Sequence, residues 1–320
     1  MVIHAYTDIF ARYLLGDEKN TDLLLYFINS VNEDYNLPVL KTVTIKNPFN
    51  LKTLALEKES LIDVKAVDEK GRQYDIEVQI EGNDHFKHRS LYYWSKLYTA
   101  QLKEGDHYQI LKPSICINLI NFNLIKQSDQ MHSCFMLREM NNPELVLTDH
   151  LILHFLEIEK FLKTDGFASS LERWMAYFKY EGKDERIMEI IIKDDPLLEK
   201  AHQNYVQFTR NDELLEIYEG RIKWQMDMNS NLLAAREAGL EQGIKQGLEQ
   251  GIEQGIEQGI EQGVILDKQN VLIKQLSKKF GLGDTEADRV RSVNDVVKLD
   301  AALEEILWAK SKEQVLGCLD

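Results

Sequence analysis

Apolar positions change period as the chain proceeds, and each change marks a different element. Between residues 6 and 33, Phe10, Leu14, Leu15, Leu24, Leu25 and Ile28 recur at helical spacing. Asn36 to Pro38 breaks that pattern. Short β-type runs follow at 40–45, 60–67, 73–80, 114–122, 133–140 and 150–158. A long helical pattern at about 84–104 separates the third run from the fourth. A hairpin, then a helix, then a further strand predicts an α/β core with a mixed central sheet. From about residue 166 the text turns helical and few strand signals remain. Four regions are expected: a core over 1–160, a helical extension over 161–235, a repeat over 236–264, and a helical tail over 265–320.

The repeat has its own period. Glycine recurs every four residues from Gly239 to Gly263, and Ile or Leu follows each one until Val264. Each glycine weakens a helix by about 1 kcal/mol relative to alanine. A four-residue step turns a helix by about 400°, so the apolar stripe winds around the axis by about 40° per repeat. A low-complexity linker, helical in part, is the expectation here. Close packing of repeat helices through the small residues is the alternative.

Within the strand runs the unusual residues are acids. In 74–80, Tyr74, Ile76, Val78 and Ile80 share one face, and Asp75, Glu77 and Gln79 share the other. The preceding run places Asp63 and Lys65 on one face. A three-residue hairpin loop, Glu69-Lys70-Gly71, would set Gly71 at the left-handed position. Lys65 then faces Asp75, and Asp63 faces Glu77. A loop of two or four residues would shift the register by one and set Asp63 beside Ile76. In the first register two carboxylates oppose each other across roughly 4.5–5.5 Å between Cα atoms, which is unfavourable unless something offsets the charge. Lys65, a shared proton or a hard divalent cation could do so. A solvated strand face with Lys65 near Asp75 is the plainer alternative.

Charge changes the picture further. The 320-residue chain carries a formal net charge of −15, which argues against general nucleic-acid affinity. Any contact with a phosphate backbone must come from a local basic patch or a bridging metal. The helical pattern at 84–104 supplies one candidate: Arg89, Lys96 and Lys103 are spaced by seven, with Lys87 and His88 at its start. Leu91, Trp94, Leu97, Tyr98 and Leu102 would pack on the sheet. His85 and His88 are expected as surface or structural residues. Three cysteines, Cys116, Cys134 and Cys318, are too scattered for a disulfide framework or a zinc site. The N-terminal residues do not read as a secretory signal, and the longest apolar run is too short to span a bilayer. A soluble, cytoplasmic protein without membrane association is expected.

"LIDVKA…YDIEVQ" resembles the Asp…Glu-x-Lys core of PD-(D/E)xK nucleases, in the variant where Gln stands for Lys. "TDIFARYLLGDEKNTDLLLYFINSV" and "FKHRSLYYWSKLYTAQLKEGDHYQILKPSICINLINFNL" extend the likeness to the bacterial Rpn family of recombination-promoting nucleases, also labelled PD-(D/E)xK nuclease family transposases. The resemblance covers about residues 6–160 and, more loosely, the helical part to about 235. It implies a restriction-endonuclease-like fold and Mg²⁺-dependent hydrolysis of DNA phosphodiesters, with Mn²⁺ able to substitute. Metal ligands would be Asp63, Glu77 and the Val78 carbonyl. Gln79 would orient water or phosphate, and Lys65 and Asp8 would support the site. Arg89 and Lys96 would contact phosphate. Asp8 matches the acidic residue of the N-terminal motif, although Ala11-Arg12 replaces the usual Phe-Lys and Leu15 a usual Phe. A spaced Asp/Asp/Glu set of the RNase-H-like transposase type is not evident. DNA is the expected partner, and a homo-oligomer is plausible for cutting two strands. The rival expectation is a catalytically inactive scaffold that acts through its helical C-terminal half as an oligomerisation or interaction module.

Overall fold

The computed structural model describes residues 3–49, 64–80, 82 and 85–320. Two compact units divide the chain, Met1–Trp224 and Gln225–Asp320.

The first unit is organised by a mixed sheet, six-stranded among the described residues. Its strands are β1 (Val43–Ile45), β2 (Val64–Asp68), β3 (Gln73–Gln79), β4 (Ser114–Ile120), β5 (His132–Arg138) and β6 (Val146–Glu157), in the order β1-β2-β3-β4-β6-β5. β1, β2 and β3 are antiparallel, β3, β4 and β6 run parallel, and β5 returns antiparallel to β6. The strand runs of the sequence appear within a few residues of their expected bounds, save that 60–63 of the second run lie outside the described residues. β4 is the central strand and is buried at every position, which explains its uninterrupted apolar text.

Both sheet faces are covered. Helices α1 (Asp8–Gly16) and α2 (Thr21–Asp34) contribute Phe10, Leu14 and Phe27 to the larger core, where they join Ile76, Ile117 and Leu119. Helix α3 (Phe86–Thr99) lies on the opposite face, over a smaller cluster of Phe86, Cys116, Ile120, Leu153 and Phe155. Helices α4 (Ser170–Tyr180), α5 (Glu185–Ile192) and α6 (Pro196–Thr209) share the larger core with the sheet. Trp174 sits at its centre, edge-on to Phe27 at 5.5 Å and stacked on Phe178 at 5.6 Å. Local signals start these helices: Ser169 caps α4, Asp184 caps α5, and Asp195 followed by Pro196 opens α6.

The helical stretch expected at 6–33 is broken. α1 ends at Gly16, and Asp17 takes extended backbone and accepts a hydrogen bond from the Lys19 N–H at 2.9 Å. A short polar side chain that captures backbone N–H groups outcompetes helix continuation here.

Helix α7 (Asp212–Phe280) contains the entire glycine repeat. The linker reading of 239–264 is therefore replaced by continuous helix. Leu214 and Tyr218 belong to the first unit's core, and Leu272 and Leu276 to the second's. Packed turns at both ends supply nuclei from which good helix formers at three of every four positions can propagate. The repeat's apolar side chains stay in solvent: Ile244 is 63% and Ile252 54% exposed.

The second unit has a small core of its own. Leu272 and Leu276 pack with Val290 of α8 (Asp284–Arg291), Leu299 and Ala302 of α9 (Val296–Glu305), and Val315 and Leu316 of α10 (Lys312–Gly317). Gln269 fixes the turn after α8 by donating to the Arg291 and Val293 carbonyls. No described helix is long and apolar enough to cross a membrane.

Candidate active site

The turn between β2 and β3 is built around one carboxylate. Asp68 Oδ1 accepts from the Lys70 and Arg72 backbone N–H groups at 2.8 and 2.9 Å, and Oδ2 takes the Arg72 guanidinium. The Asp68 N–H donates to the Arg72 carbonyl at 3.2 Å, closing the three-residue loop. Gly71 lies at φ 83°, the left-handed region that a side chain would strain. Of the two registers the sequence allowed, this loop gives the first: Lys65 faces Asp75, and Val64 faces Ile76. Asp63, and with it the expected Asp63–Glu77 rung, lies outside the described residues.

Strand alternation then sorts β3 into two sets. Tyr74, Ile76 and Val78 enter the larger core. Asp75 is buried, and Glu77 and Gln79 are half-buried on the α3 side of the sheet. Across the parallel ladder Glu77 meets Asn118, Val78 meets Leu119 and Gln79 meets Ile120. The Gln79 carbonyl accepts from the Asn121 N–H at 3.0 Å. Glu77, Val78 and Gln79 thus occupy the C-terminal end of a parallel strand, where open α/β sheets place their ligands.

Helix α3 is fastened beside this end. Ser90 donates to the Asn118 side-chain oxygen at 2.9 Å, and Trp94 donates to the Ser114 carbonyl at 2.9 Å. Tyr98 pairs with His150 at 2.9 Å. These contacts carry Arg89 to β3, where its guanidinium donates to the side-chain oxygen of Gln79. Arg89 also lies 4.8 Å from the Phe86 ring centroid and 5.6 Å from that of Tyr93. Lys96 is exposed, with its ammonium 5.5 Å from the Tyr92 ring. α3 is shorter than expected and stops at Thr99, so Lys103 is not part of a helical stripe with Arg89 and Lys96. There the Lys103 N–H turns to Asp106, and Gly105 sits at φ 90°. Leu91 was expected to pack on the sheet but is 45% exposed, because α3 presents Phe86, Ser90 and Trp94 to it instead.

The first turn of α3 holds no acid and instead carries Lys87, His88 and Arg89. Each cation at a helix N-terminus disfavours the helix by about 0.3–1 kcal/mol, the reverse of the usual bias. Lys87 and Arg89 thereby place positive charge beside Gln79.

Helix α1 touches the same region from the other side. Arg12 is buried and donates to the Asn47 carbonyl at 3.4 Å, while Asn47 Oδ1 accepts the Lys65 N–H at 2.7 Å. Asp8 is engaged elsewhere, in an ion pair with Arg221 of α7 at 3.4 Å. Burial pushes its carboxyl up from the ordinary range, against the pull of the Arg221 guanidinium. His85 and His88 are exposed, with ring centroids 6.2 Å apart.

A second polar group escaped the sequence reading. His132 on β5 contacts Asp34 at 2.7 Å through Nδ1 and His154 on β6 at 3.0 Å through Nε2. His154 is fully buried, and burial together with neighbouring His132 lowers its pKa to about 3. Their separation of 22 residues, in two strands that read as ordinary apolar runs, left no local signal.

The donor set at the end of β3 is oxygen-based: the Glu77 carboxylate and backbone and amide oxygens, without His or Cys. Such a set suits hard cations of the Mg²⁺ class. Among the described residues no group of three His, Cys, Asp or Glu side chains could hold a metal ion. The second expected carboxylate, Asp63, is not among them.

The family model for the PD-(D/E)XK nuclease family transposase matches residues 5–235. No curated protein and no solved structure matches the chain. With most of its length matched, including the sheet, α3 and helices α4–α6, the chain belongs to the PD-(D/E)XK nuclease family transposases.

Proposed function

We propose that this PD-(D/E)XK family member is a divalent-metal-dependent DNA endonuclease whose site is centred on Asp63, Glu77 and Gln79. The observation that supports the reading most is the junction of β3 and α3: Glu77 and Gln79 stand at the end of a parallel strand, beside the cationic first turn that holds Arg89. An acidic carboxylate face alone would repel DNA. A cationic helix start beside it can hold one phosphate while the carboxylates stay close to the scissile bond.

Asp63, Glu77 and the Val78 carbonyl would hold the cation, with Mg²⁺ the expected ion and Mn²⁺ a substitute. When bound, such an ion supplies a Lewis acid that polarises a phosphoryl oxygen and activates water. The chain's own residues supply the rest. The Gln79 amide, which carries no charge and cannot act as a base, donates to a phosphate oxygen or orients water. Lys65, opposite Asp75, lowers the cost of crowding acids on one face. Lys87, Arg89 and Lys96 fix the DNA backbone, and Asp8 braces α1 against α7. Recombination or the movement of genetic elements is the wider role this activity would serve.

Nicking of supercoiled plasmid by the full chain, with Mg²⁺ and with EDTA, tests the reading. Asp63→Ala and Glu77→Ala are each expected to lower cleavage by at least about 100-fold. If both cut DNA as well as the parent, the site assignment is wrong.

A second reading rests on the exposed Leu and Ile side chains of α7, from Leu240 to Ile260, and on Trp308 at 83% exposure. These suit self-association through the C-terminal half, either alongside nuclease activity or in place of it. Light scattering of a chain lacking 239–263 decides this: an unchanged oligomer size removes the repeat from the interface.

A further inference from the structure

We infer that the β5–β6 hairpin is a dimerisation arm that fills an apolar groove on a second copy of this chain. The pairing of β6 with β4 begins at Leu151, whereas β6 itself begins at Val146 and pairs there with Arg138 of β5. The hairpin therefore runs past the start of β4 as a two-stranded ribbon. Its tip is held by its own bonds. Arg138 donates to the Pro143 carbonyl at 3.0 Å, and the Glu139 carboxylate accepts from the Asn141 and Asn142 N–H groups. A tip ordered in advance loses little freedom on binding. Its surface is nevertheless apolar: Met140 is 90% and Leu147 79% exposed, and Leu137, Leu145 and Val146 are exposed beside them.

A hollow of the same chemistry adjoins the ribbon. A groove of about 410 Å³ runs between α3 and the β5–β6 edge, lined by Leu91, Leu124, Phe135, Leu151 and Leu153, with Lys87 at its border. Leu137 belongs to both features. A projection beside a matching hollow is what a two-fold interface requires, since each copy's ribbon then fills the other's groove. The exposed parts of Leu91, Phe135 and the five ribbon side chains amount to on the order of 700 Å², above the roughly 300–600 Å² of the largest patch on a typical monomer and near the ~800 Å² per partner of a standard interface. Charge fits the same pairing: the ribbon carries Glu139, Glu144 and Asp149 against one arginine, and the groove border carries Lys87. Pairing of bare strand edges suits this hairpin less, because register shifts at Met136/Leu137 and Leu137/Arg138 interrupt the β5 ladder.

The ribbon cannot reach its own groove. Leu147 and the groove residue Leu153 are six positions apart on β6, about 20 Å, and Met140 lies further out along the hairpin. A cross-link therefore reads the pairing between copies directly. Full chain carrying Met140→Cys is mixed with tagged full chain carrying Leu91→Cys under mild oxidation. A disulfide-linked heterodimer is expected from the mixture, and none from either variant alone or from the parent. A heterodimer no more abundant than the cross-links of the single variants overturns the inference.

Sedimentation of the full chain gives the strength of the contact. Met140→Asp combined with Leu147→Asp alters only exposed positions, so the helical circular dichroism should be retained while the dimer weakens at least about tenfold. A parent chain that is monomeric at about 100 μM, above the micromolar range that interfaces of this size reach, overturns the inference. So does a dimer that the two aspartates leave unchanged and that dissociates only when 239–263 is removed, because association then runs through the repeat.

Discussion

Acidification should destabilise the first unit through one residue, His154. Its imidazole is fully buried between β4 and β5, and burial with neighbouring His132 lowers its pKa from 6.5 to about 3. The groups facing it are His132 at 3.0 Å, Asp34 beyond His132, and Cys134 in the facing position on β5. Burial raises the Cys134 thiol to about 11, so it stays neutral across the range considered. The unfolded chain binds a proton on His154 below 6.5, and the folded chain does so only near 3. The stabilising contribution is therefore complete above 6.5 and lost progressively as pH falls toward 3. At about pH 5 the unfolded histidine is roughly 97% protonated and the folded one about 1%, which corresponds to a loss of about 2 kcal/mol relative to pH 7.5. Carboxylates also titrate over this range, so the comparison must be with His154→Leu, which keeps the volume and removes the proton site. Urea unfolding of the full chain, followed by hydrogen exchange of β4 and β6 amides, reads the difference. Parent and variant should lose stability by amounts that differ by about 2 kcal/mol between pH 7.5 and 5. Parallel loss in the two proteins would refute a neutral, buried His154.

Two further outcomes follow from the backbone. Gly71→Val forces a β-branched side chain to φ 83° and should lower stability by about 1–2 kcal/mol, with a matching fall in the urea midpoint; an unchanged midpoint would mean the turn can be rebuilt. In α7, a side-chain carbon built at any glycine from Gly239 to Gly263 meets nothing within 4 Å. Alanine there should strengthen the helix by about 1 kcal/mol per site, seen as a higher melting temperature of the helical circular dichroism; no rise would show that the glycines serve packing with another chain.

The sheet was legible because its strands carry their own punctuation. β4 reads as an unbroken apolar run and proved central, and the DEKGR turn carried enough chemistry to fix the register through Gly71. The acidic face of β3 followed from simple alternation, as Asp75, Glu77 and Gln79 confirm in their shared orientation away from the larger core. What escaped were contacts with no local period. Arg89 was visible as a cation but not as the partner of Gln79, because the two belong to different elements and meet only once Ser90 has docked on Asn118. His132 and His154 resembled other residues in apolar strands. The break at Asp17 was hidden because apolar spacing continued across it, while a single side-chain hydrogen bond decided the backbone. The repeat was misjudged for the opposite reason: local propensity spoke against helix, and packed turns at its two ends decided otherwise.

The Asp68 turn also has a consequence in time. The bonds of its Asp68 carboxylate join residues no more than six apart, from Lys70 and Arg72 to Tyr74. Such hairpins close in about 1–10 μs, whereas β4 and β6 must find each other across intervening chain and a second strand. The spacing of Lys65, Asp75 and the residues that follow is thus laid down by an early, nearby event, before the rest of the sheet has assembled. Folding kinetics of Asp68→Asn should show a slowed refolding limb and a nearly unchanged unfolding limb, and the reverse pattern would place the hairpin late. A site whose ruler is set first can tolerate much variation in the slower elements around it, provided the five residues Asp68 to Arg72 keep their geometry.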